Sequence, residues 1–110
     1  MRVRLTTQEH EGVNYSDLTV GNVYRVLGIE ADSLRIMSDE GRPYLYPPKL
    51  FVVVDPTEPE DWITSYGTAG ERYSYPREFN ATGFFEDYFD DRPEAVAGFR
   101  GYVAKLFRTK

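Results

Sequence analysis

Residues 18–54, LTVGNVYRVLGIEADSLRIMSDEGRPYLYPPKLFVVV, decide the fold. The stretch contains three short runs rich in β-branched, aromatic and other apolar residues, separated by glycine, by Asp-Glu-Gly and by Pro-Pro. Short strands broken by turn residues at close spacing are typical of a small, strongly bent barrel. We therefore expect a β-barrel unit here.

The individual strands of this unit follow from the alternation of apolar residues. Residues 23–29 alternate as a strand does. Residues 33–38 and 44–46 predict a hairpin, because residues 39–42, Asp-Glu-Gly-Arg, supply the turn between them. The sequence thus predicts three successive antiparallel strands.

Proline residues and polar residues predict the elements on either side of these three strands. Residues 47–48 are both proline, which cannot donate to a β-ladder, so we expect a tight helical turn at residues 49–51 and a last strand at 52–54. Residues 2–6 predict a first strand, and the polar residues 8–17 predict a long loop.

The second half of the chain changes in composition. Residues 62–66 and 72–75 are aromatic runs on either side of Gly-Thr-Ala-Gly, which predicts a second hairpin. Residues 84–89, FFEDYF, are too few to assign a structure, although one or two helical turns are compatible with them. From residue 92 onward the pattern is helical.

The C-terminal helix has the most regular pattern in the chain, and we expect it over residues 92–107. Asp91 is the expected N-cap, with a glutamate three residues later and Pro93 in the first turn. Apolar residues recur at helical spacing: Val96, Phe99, Val103, Leu106 and Phe107. Gly98 and Gly101 weaken a helix, which indicates that another element packs closely against it there.

Length and composition predict one α+β domain over residues 1–110. The chain has 110 residues, 41% of them hydrophobic, which is enough for one core. We expect a partly open barrel at residues 1–55 and a hairpin plus helix at 56–110. The absence of cysteine excludes disulfides, thiolate catalysis and cysteine-ligated metals.

Charge is distributed unevenly along the chain. Residues 1–49 carry 7 acidic and 6 basic side chains, residues 50–94 carry 11 and 3, and residues 95–110 carry none and 4. An acidic middle segment repels phosphate backbones, so nucleic acid is not expected as a ligand. A basic protein partner is favoured instead.

The hydropathy pattern bears on location. The N-terminal MRVRL is followed by the polar TTQEHEG, so the sequence shows no signal-peptide pattern, and nowhere does an apolar run reach membrane-spanning length. We expect no membrane partner and a cytoplasmic location.

The order of glycine, aromatic-proline and apolar residues resembles that of SH3-like small barrels. The resemblance rests on Leu18, Gly21, Val23, Val26, Leu27, Leu34, Ile36, Gly41, Tyr46, Pro47, Leu50, Phe51 and Val52. It implies a barrel in which an aromatic-proline pair leads into a short helical turn and a final strand. It covers about a third of the chain, since those residues lie within 18–52.

Proline-rich peptide binding is not implied by this resemblance. SH3 domains that bind PxxP ligands carry an ALYDY-like run and a tryptophan that opens the third strand, whereas this chain has TTQEH and Asp-Ser-Leu at those places. The chain is more similar to bacterial SH3-like proteins with an added C-terminal α/β segment. Some small acidic proteins of that type serve as immunity proteins or dedicated inhibitors, and the resemblance transfers no functional residue.

Catalytic and metal sites receive little support from the sequence. His10 is the single histidine and lies in a polar segment, where an exposed position is expected. Acidic clusters at residues 55–61 and 86–94 offer carboxylate pairs, but chance pairs are expected among so many acids, and a solvated surface is the favoured explanation. They lack EF-hand spacing, and no phosphate-binding glycine motif occurs. We predict no enzyme activity, no metal and no cofactor.

The acidic segment also contains tyrosines, which are enriched at protein interfaces. This combination predicts a site for a basic partner, with candidate residues Asp61, Tyr66, Tyr73, Tyr75, Glu86, Asp87, Tyr88, Asp90 and Asp91. A structural role for the tyrosines in strands stays open.

Three functions remain as hypotheses. The first is a non-enzymatic inhibitor or immunity-type protein that masks a basic toxin or enzyme through residues 55–94. The second is a regulatory or scaffold module that binds a peptide in a barrel groove near Tyr24, Tyr44 and Tyr46. The third is a small carboxylate hydrolase, which requires a carboxyl group with a strongly shifted pKa in a cleft.

Overall fold

A computed structural model describes residues 1–108. The described part contains nine strands: β1 (Arg2–Leu5), β2 (Glu9–His10), β3 (Val13–Asn14), β4 (Val23–Glu30), β5 (Ser33–Met37), β6 (Pro43–Tyr46), β7 (Phe51–Asp55), β8 (Trp62–Tyr66) and β9 (Arg72–Pro76). It also contains two α-helices, α1 (Phe84–Phe89) and α2 (Pro93–Arg108). Two 3₁₀ turns, Pro48–Leu50 and Arg77–Phe79, precede β7 and α1.

The long strand β4 organises the sheet. Its first half pairs with β1, and its second half pairs with β5 and β9, all antiparallel. The strand order is β6-β5-β4-β1-β7, with the β8–β9 hairpin attached through β9. Within residues 1–108, β6 and β7 do not pair with each other, so the sheet is not a closed barrel.

A two-residue turn joins β4 to β5. Ala31 and Asp32 have positive φ angles of 49° and 69°, as a turn that follows the natural twist of a hairpin requires. The Asp32 carboxylate accepts the N–H of Arg72 at 2.9 Å, and the Asp32 N–H donates to the Arg72 carbonyl at 3.0 Å. The turn therefore anchors the start of β9.

Within the described residues, the buried apolar side chains form two clusters. The first consists of Val3, Leu5, Leu18, Val26, Ile29, Leu34, Ile36, Tyr46 and Leu50. The second consists of Leu27, Tyr75, Phe79, Phe85, Tyr88, Ala95 and Phe99. β4 contributes to both clusters, so it joins the N-terminal strands to the hairpin and helices.

The predicted α+β class is confirmed at the level of mostly antiparallel strands with a C-terminal helix. The predicted loop at residues 8–17 is wrong in part, because β2 and β3 form a small hairpin there. No helix in residues 1–108 has both the length and the apolar character that crossing a membrane requires.

The predicted cap of the C-terminal helix is also wrong. Asp91 has a φ of 58°, which places it in the link between α1 and α2. The Arg92 carbonyl accepts the N–H of Val96 at 3.0 Å, so Arg92 occupies the N-cap position.

The glycine that another element approaches closely lies in a strand rather than in α2. A Cβ at Gly101 would meet open space, and one at Gly98 would make only an ordinary contact. A Cβ at Gly28 in β4, by contrast, would overlap the ring of Tyr75. Glycine is therefore required at position 28 for β9 to pack against β4.

Candidate functional site

A cleft of about 780 Å³ lies between the β8–β9 hairpin, the adjoining ends of β4 and β5, and α1. Its buried lining comes from Arg35, Tyr75, Phe79 and Phe85. Its outer lining comes from Glu30, Ser65, Tyr73, residues 80–84, Glu86, Phe89 and Asp90.

Arg35 forms the floor of the cleft together with Tyr75 and Glu30. Its Nε donates to the Tyr75 Oη at 2.9 Å, its Nη1 to the Pro43 carbonyl at 2.9 Å and its Nη2 to the Glu30 Oε1 at 2.8 Å. The Tyr75 hydroxyl also donates to the Glu30 Oε1 at 2.8 Å. Hydrogen bonds and the carboxylate compensate the burial of the guanidinium charge.

The aromatic ring of Phe85 completes this floor. The Arg35 guanidinium carbon lies 4.0 Å from the ring centroid, a favourable cation–π distance. Burial raises the pKa of Tyr75 well above its ordinary value, although Arg35 acts in the opposite direction. The Tyr75 hydroxyl therefore stays protonated at neutral pH and serves as a hydrogen-bond link.

The rim of the cleft is acidic. Glu86 and Asp90 are exposed and lie four residues apart in and just after α1, which places them on one side of the helix. The side chain of Glu30 is 38% exposed, so part of its carboxylate also faces the solvent. The negative charge at the rim is therefore in excess of what Arg35 compensates.

Contacts from β6 and from the residue before it hold the far side of α1. The rings of Tyr44 and Phe89 stack with a centroid distance of 5.4 Å and an interplanar angle of 8°. The guanidinium of Arg42 lies 5.1 Å from the Phe89 ring centroid. These contacts position the rim carboxylates relative to the sheet.

The structure brings four of the nine predicted partner-binding residues to the cleft: Tyr73, Tyr75, Glu86 and Asp90. Asp87 and Asp91 are exposed nearby on the chain. Tyr66 is 68% exposed at the tip of the β8–β9 hairpin. Asp61 lies apart from the cleft, 3.4 Å from the hydroxyl of Tyr102, whose pKa burial raises to about 12.

Two predicted surface tyrosines are packing residues instead. Tyr75 and Tyr88 are only 6% and 7% exposed and belong to the second core cluster. Their rings pack against those of Phe85 and Phe99, respectively. Tyr75 shapes the cleft from below, and neither tyrosine offers much surface to a partner.

The tyrosines proposed for a peptide groove do not line one surface. Tyr46 is fully buried and donates to an Asp17 carboxylate oxygen at 2.6 Å, and burial together with Asp17 raises its pKa. Tyr24 is half-buried and donates to Asp39 at 2.7 Å. Tyr44 stacks against α1.

The floor residues Glu30 and Arg35 were not identified from the sequence. The available signal was an arginine between Leu34 and Ile36 in an otherwise apolar strand. Such a buried charge needs a partner of opposite charge, but the residue that supplies it depends on how β4 and β5 pair.

The positions of the carboxylate and imidazole side chains bear on metal binding. In the part of the chain that the structure describes, no three His, Asp or Glu side chains come close enough to hold a metal ion. His10 lies in β2, with its Nε2 3.5 Å from a carboxylate oxygen of Glu11. No family model matches the chain, and neither a curated protein nor a solved structure is significantly similar to it.

Proposed function

We propose that this protein is a non-enzymatic binding domain, an acidic inhibitor of the immunity type that masks a basic toxin or enzyme in the cytoplasm. The observation that supports this proposal is the acidic rim formed by Glu30, Glu86 and Asp90 around an aromatic cleft. Exposed carboxylates accept hydrogen bonds from arginine and lysine side chains of a partner.

Charge and aromatic surface have separate roles in this proposal. Residues 50–94 carry 11 acidic and 3 basic side chains, and a potential of this sign attracts a basic partner before contact. Tyr73, which lines the cleft and is only partly buried, supplies apolar area for the contact itself. Charge sets the association rate, and the aromatic contact sets the lifetime of the complex.

The hydrogen bonds of Arg35 and Tyr75 in the cleft floor favour binding over catalysis. The Nε, Nη1 and Nη2 atoms of Arg35 all donate to protein acceptors. The Tyr75 hydroxyl is protonated and donates to Glu30. These groups are engaged in holding β4, β5 and β9 together rather than poised for proton transfer.

An SH3-like origin of the N-terminal unit is part of the same proposal. The order of elements supports it: β4, β5 and β6 form a meander, a 3₁₀ turn follows at Pro48–Leu50, and β7 returns to pair with β1. The alternative of a regulatory or scaffold module with a peptide groove has less support, because Tyr46 is buried and Tyr44 stacks on Phe89.

The test is capture of a partner by immobilised protein from a lysate of the source organism, at roughly 50 mM and 500 mM salt. Wild type is compared with Glu86→Lys/Asp90→Lys. The matched control, Glu9→Lys/Glu40→Lys, makes the same charge change at exposed positions outside both the cleft and the acidic segment 50–94.

We expect wild type and control to retain one basic protein in stoichiometric amount and the rim variant to lose it. With that protein purified, the association rate at low salt should fall by about tenfold or more in the rim variant alone. Equal capture by all three baits, or capture of none, contradicts the proposal. A thermal melt checks that the rim variant remains folded.

A further inference from the structure

Strand β7 forms an uncovered apolar edge of the sheet. In the described residues it pairs with β1 and with no other strand. Its central residues Val52, Val53 and Val54 are all exposed. Natural edge strands are usually protected by charges or by covering elements, since an open edge pairs readily with another strand.

One side of this edge belongs to the core face of the sheet. Val53 lies opposite Val3, and Phe51 lies opposite Leu5. Val3 and Leu5 are fully buried, and directly opposed residues point to the same face of a sheet. Val53 is nevertheless 56% exposed. Strand β7 therefore extends the apolar inner face of the sheet, and this extension is not covered by another described element.

The direction of the free backbone groups follows from the hydrogen bonds of β1. The Leu5 N–H donates to the Asn22 carbonyl at 3.0 Å, on the β4 side. The next residue, Thr6, donates to the Leu50 carbonyl at 2.8 Å, on the β7 side. Because successive residues of a strand point in opposite directions, Arg4 also directs its polar groups toward β7.

Arg4 lies opposite Val52, so the polar groups of Val52 are used in the pairing with β1. The backbone N–H and carbonyl of Val53, and the carbonyl of Phe51, therefore point away from β1. The N–H of Phe51 already donates to the Pro48 carbonyl. The edge thus presents the N–H and carbonyl of Val53 and the carbonyl of Phe51.

We propose that β7 pairs antiparallel with β7 of a second copy of this chain, about a two-fold axis at Val52. Phe51 of each copy then lies opposite Val53 of the other. Each Val53 N–H donates to the Phe51 carbonyl across the axis, and the two Phe51–Val53 pairs cover the inner face of the edge.

The charges at the ends of β7 favour a second copy in this register. Lys49 precedes the strand, Asp55 ends it, and no charged residue lies between them. Lys49 lies in the 3₁₀ turn before the strand, and the register of β7 shifts between Val53 and Asp55, so these two residues are not a directly opposed pair. Antiparallel pairing still places the Lys49 end of one copy at the Asp55 end of the other, twice, where Asp55 also contacts Arg2 of its own chain at 3.5 Å. The strand is therefore complementary to itself, and this inference does not depend on the proposed function.

The first test measures molar mass by sedimentation over a range of concentrations, for wild type, Val53→Lys and Val20→Lys. Val20 is 53% exposed and lies outside the sheet, so it is the matched control. We expect a concentration-dependent dimer for wild type and control, and a dissociation constant raised by at least about tenfold in Val53→Lys. A monomeric wild type, or a dimer unaffected by Val53→Lys, overturns the proposal.

The second test uses the absence of native cysteine. Val52→Cys places two thiols opposite each other across the axis, at a Cα separation of about 4.5 Å that permits a disulfide. Oxidised glutathione should convert this variant to a covalent dimer much faster than Val20→Cys. Equal rates of disulfide formation in the two variants contradict a β7–β7 pairing centred on Val52. This measurement does not depend on whether Val53→Lys folds.

Discussion

At the scale of single residues, Arg35 is the side chain on which the cleft depends. It lies in the middle of a buried strand, and only the fork of donors in arginine reaches Tyr75, Pro43 and Glu30 at once. A lysine would present a point charge and lose this geometry. The acceptors come from three different strands, so one side chain connects β4, β6 and β9.

Replacement of Arg35 by leucine should lower the free energy of unfolding by about 3 kcal/mol, because buried acceptors lose their donors. Glu30→Gln keeps an acceptor oxygen for Tyr75 at a partly exposed position and should cost only about 1 kcal/mol. Urea denaturation of both variants measures the difference. Equal losses of unfolding free energy in the two variants would show that Arg35 stabilises the fold mainly through its ion pair with Glu30 and not through the geometry of its donors.

At the scale of elements, the 3₁₀ turn Arg77–Phe79 connects the hairpin to both helices. The ring centroid of Phe79 lies 5.1 Å from that of Phe84, which begins α1. It lies 5.5 Å and 4.7 Å from those of Phe99 and Tyr102 in α2. A short turn between β9 and α1 thus supplies the centre of the second core.

Phe79→Ala should reduce stability by about 4 kcal/mol and speed hydrogen exchange in α1 and α2 more than in β5 and β6. Leu50→Ala, at a fully buried site of the first cluster, is the control and should show the opposite regional pattern. Exchange measured by mass spectrometry distinguishes the two patterns. A uniform increase in both variants would mean that the clusters open as one unit.

At the scale of the whole molecule, an ion pair links the connection after β7 to the second hairpin. The Nη2 of Arg72 donates to a Glu58 carboxylate oxygen at 2.5 Å. This hydrogen bond lowers the pKa of Glu58 below its ordinary value of 4.5, and it raises the pKa of Arg72. Because the pKa of Glu58 is lowered in the folded state, the free energy of unfolding depends on pH.

Since the folded state holds the pKa of Glu58 below its unfolded value, the stabilisation is complete above about 4.5 and is lost as the pH falls through the folded value. Glu58→Gln should therefore cost up to about 1 kcal/mol near pH 7, a small value because the pair is partly exposed, and progressively less as the pH is lowered from 4.5 toward 3. Urea unfolding at these pH values measures this. Glu60→Gln is the exposed control, and a loss that persists in acid would contradict the expectation.

Much of the order of elements could be predicted because it follows from local patterns. The hairpin turn at residues 39–42, the break at two prolines, the second hairpin and the C-terminal helix all occur close to their predicted positions. The β2–β3 hairpin was missed because it has only two residues on each side and no apolar alternation. The helix cap was misplaced because the left-handed Asp91 serves the α1–α2 link, which only the packing of two helices defines.

The sequence by itself determined where strands, turns and the long helix form, and that the acidic side chains concentrate in residues 50–94, because these properties depend on near neighbours in the chain. Only the tertiary structure decided that Tyr75 and Tyr88 lie in the core, while Glu86 and Asp90 line a cleft. It also decided that Arg35 forms the floor of that cleft and that β7 remains an open edge. These outcomes depend on the pairing of strands distant in sequence and on the packing of α1 and α2 against them.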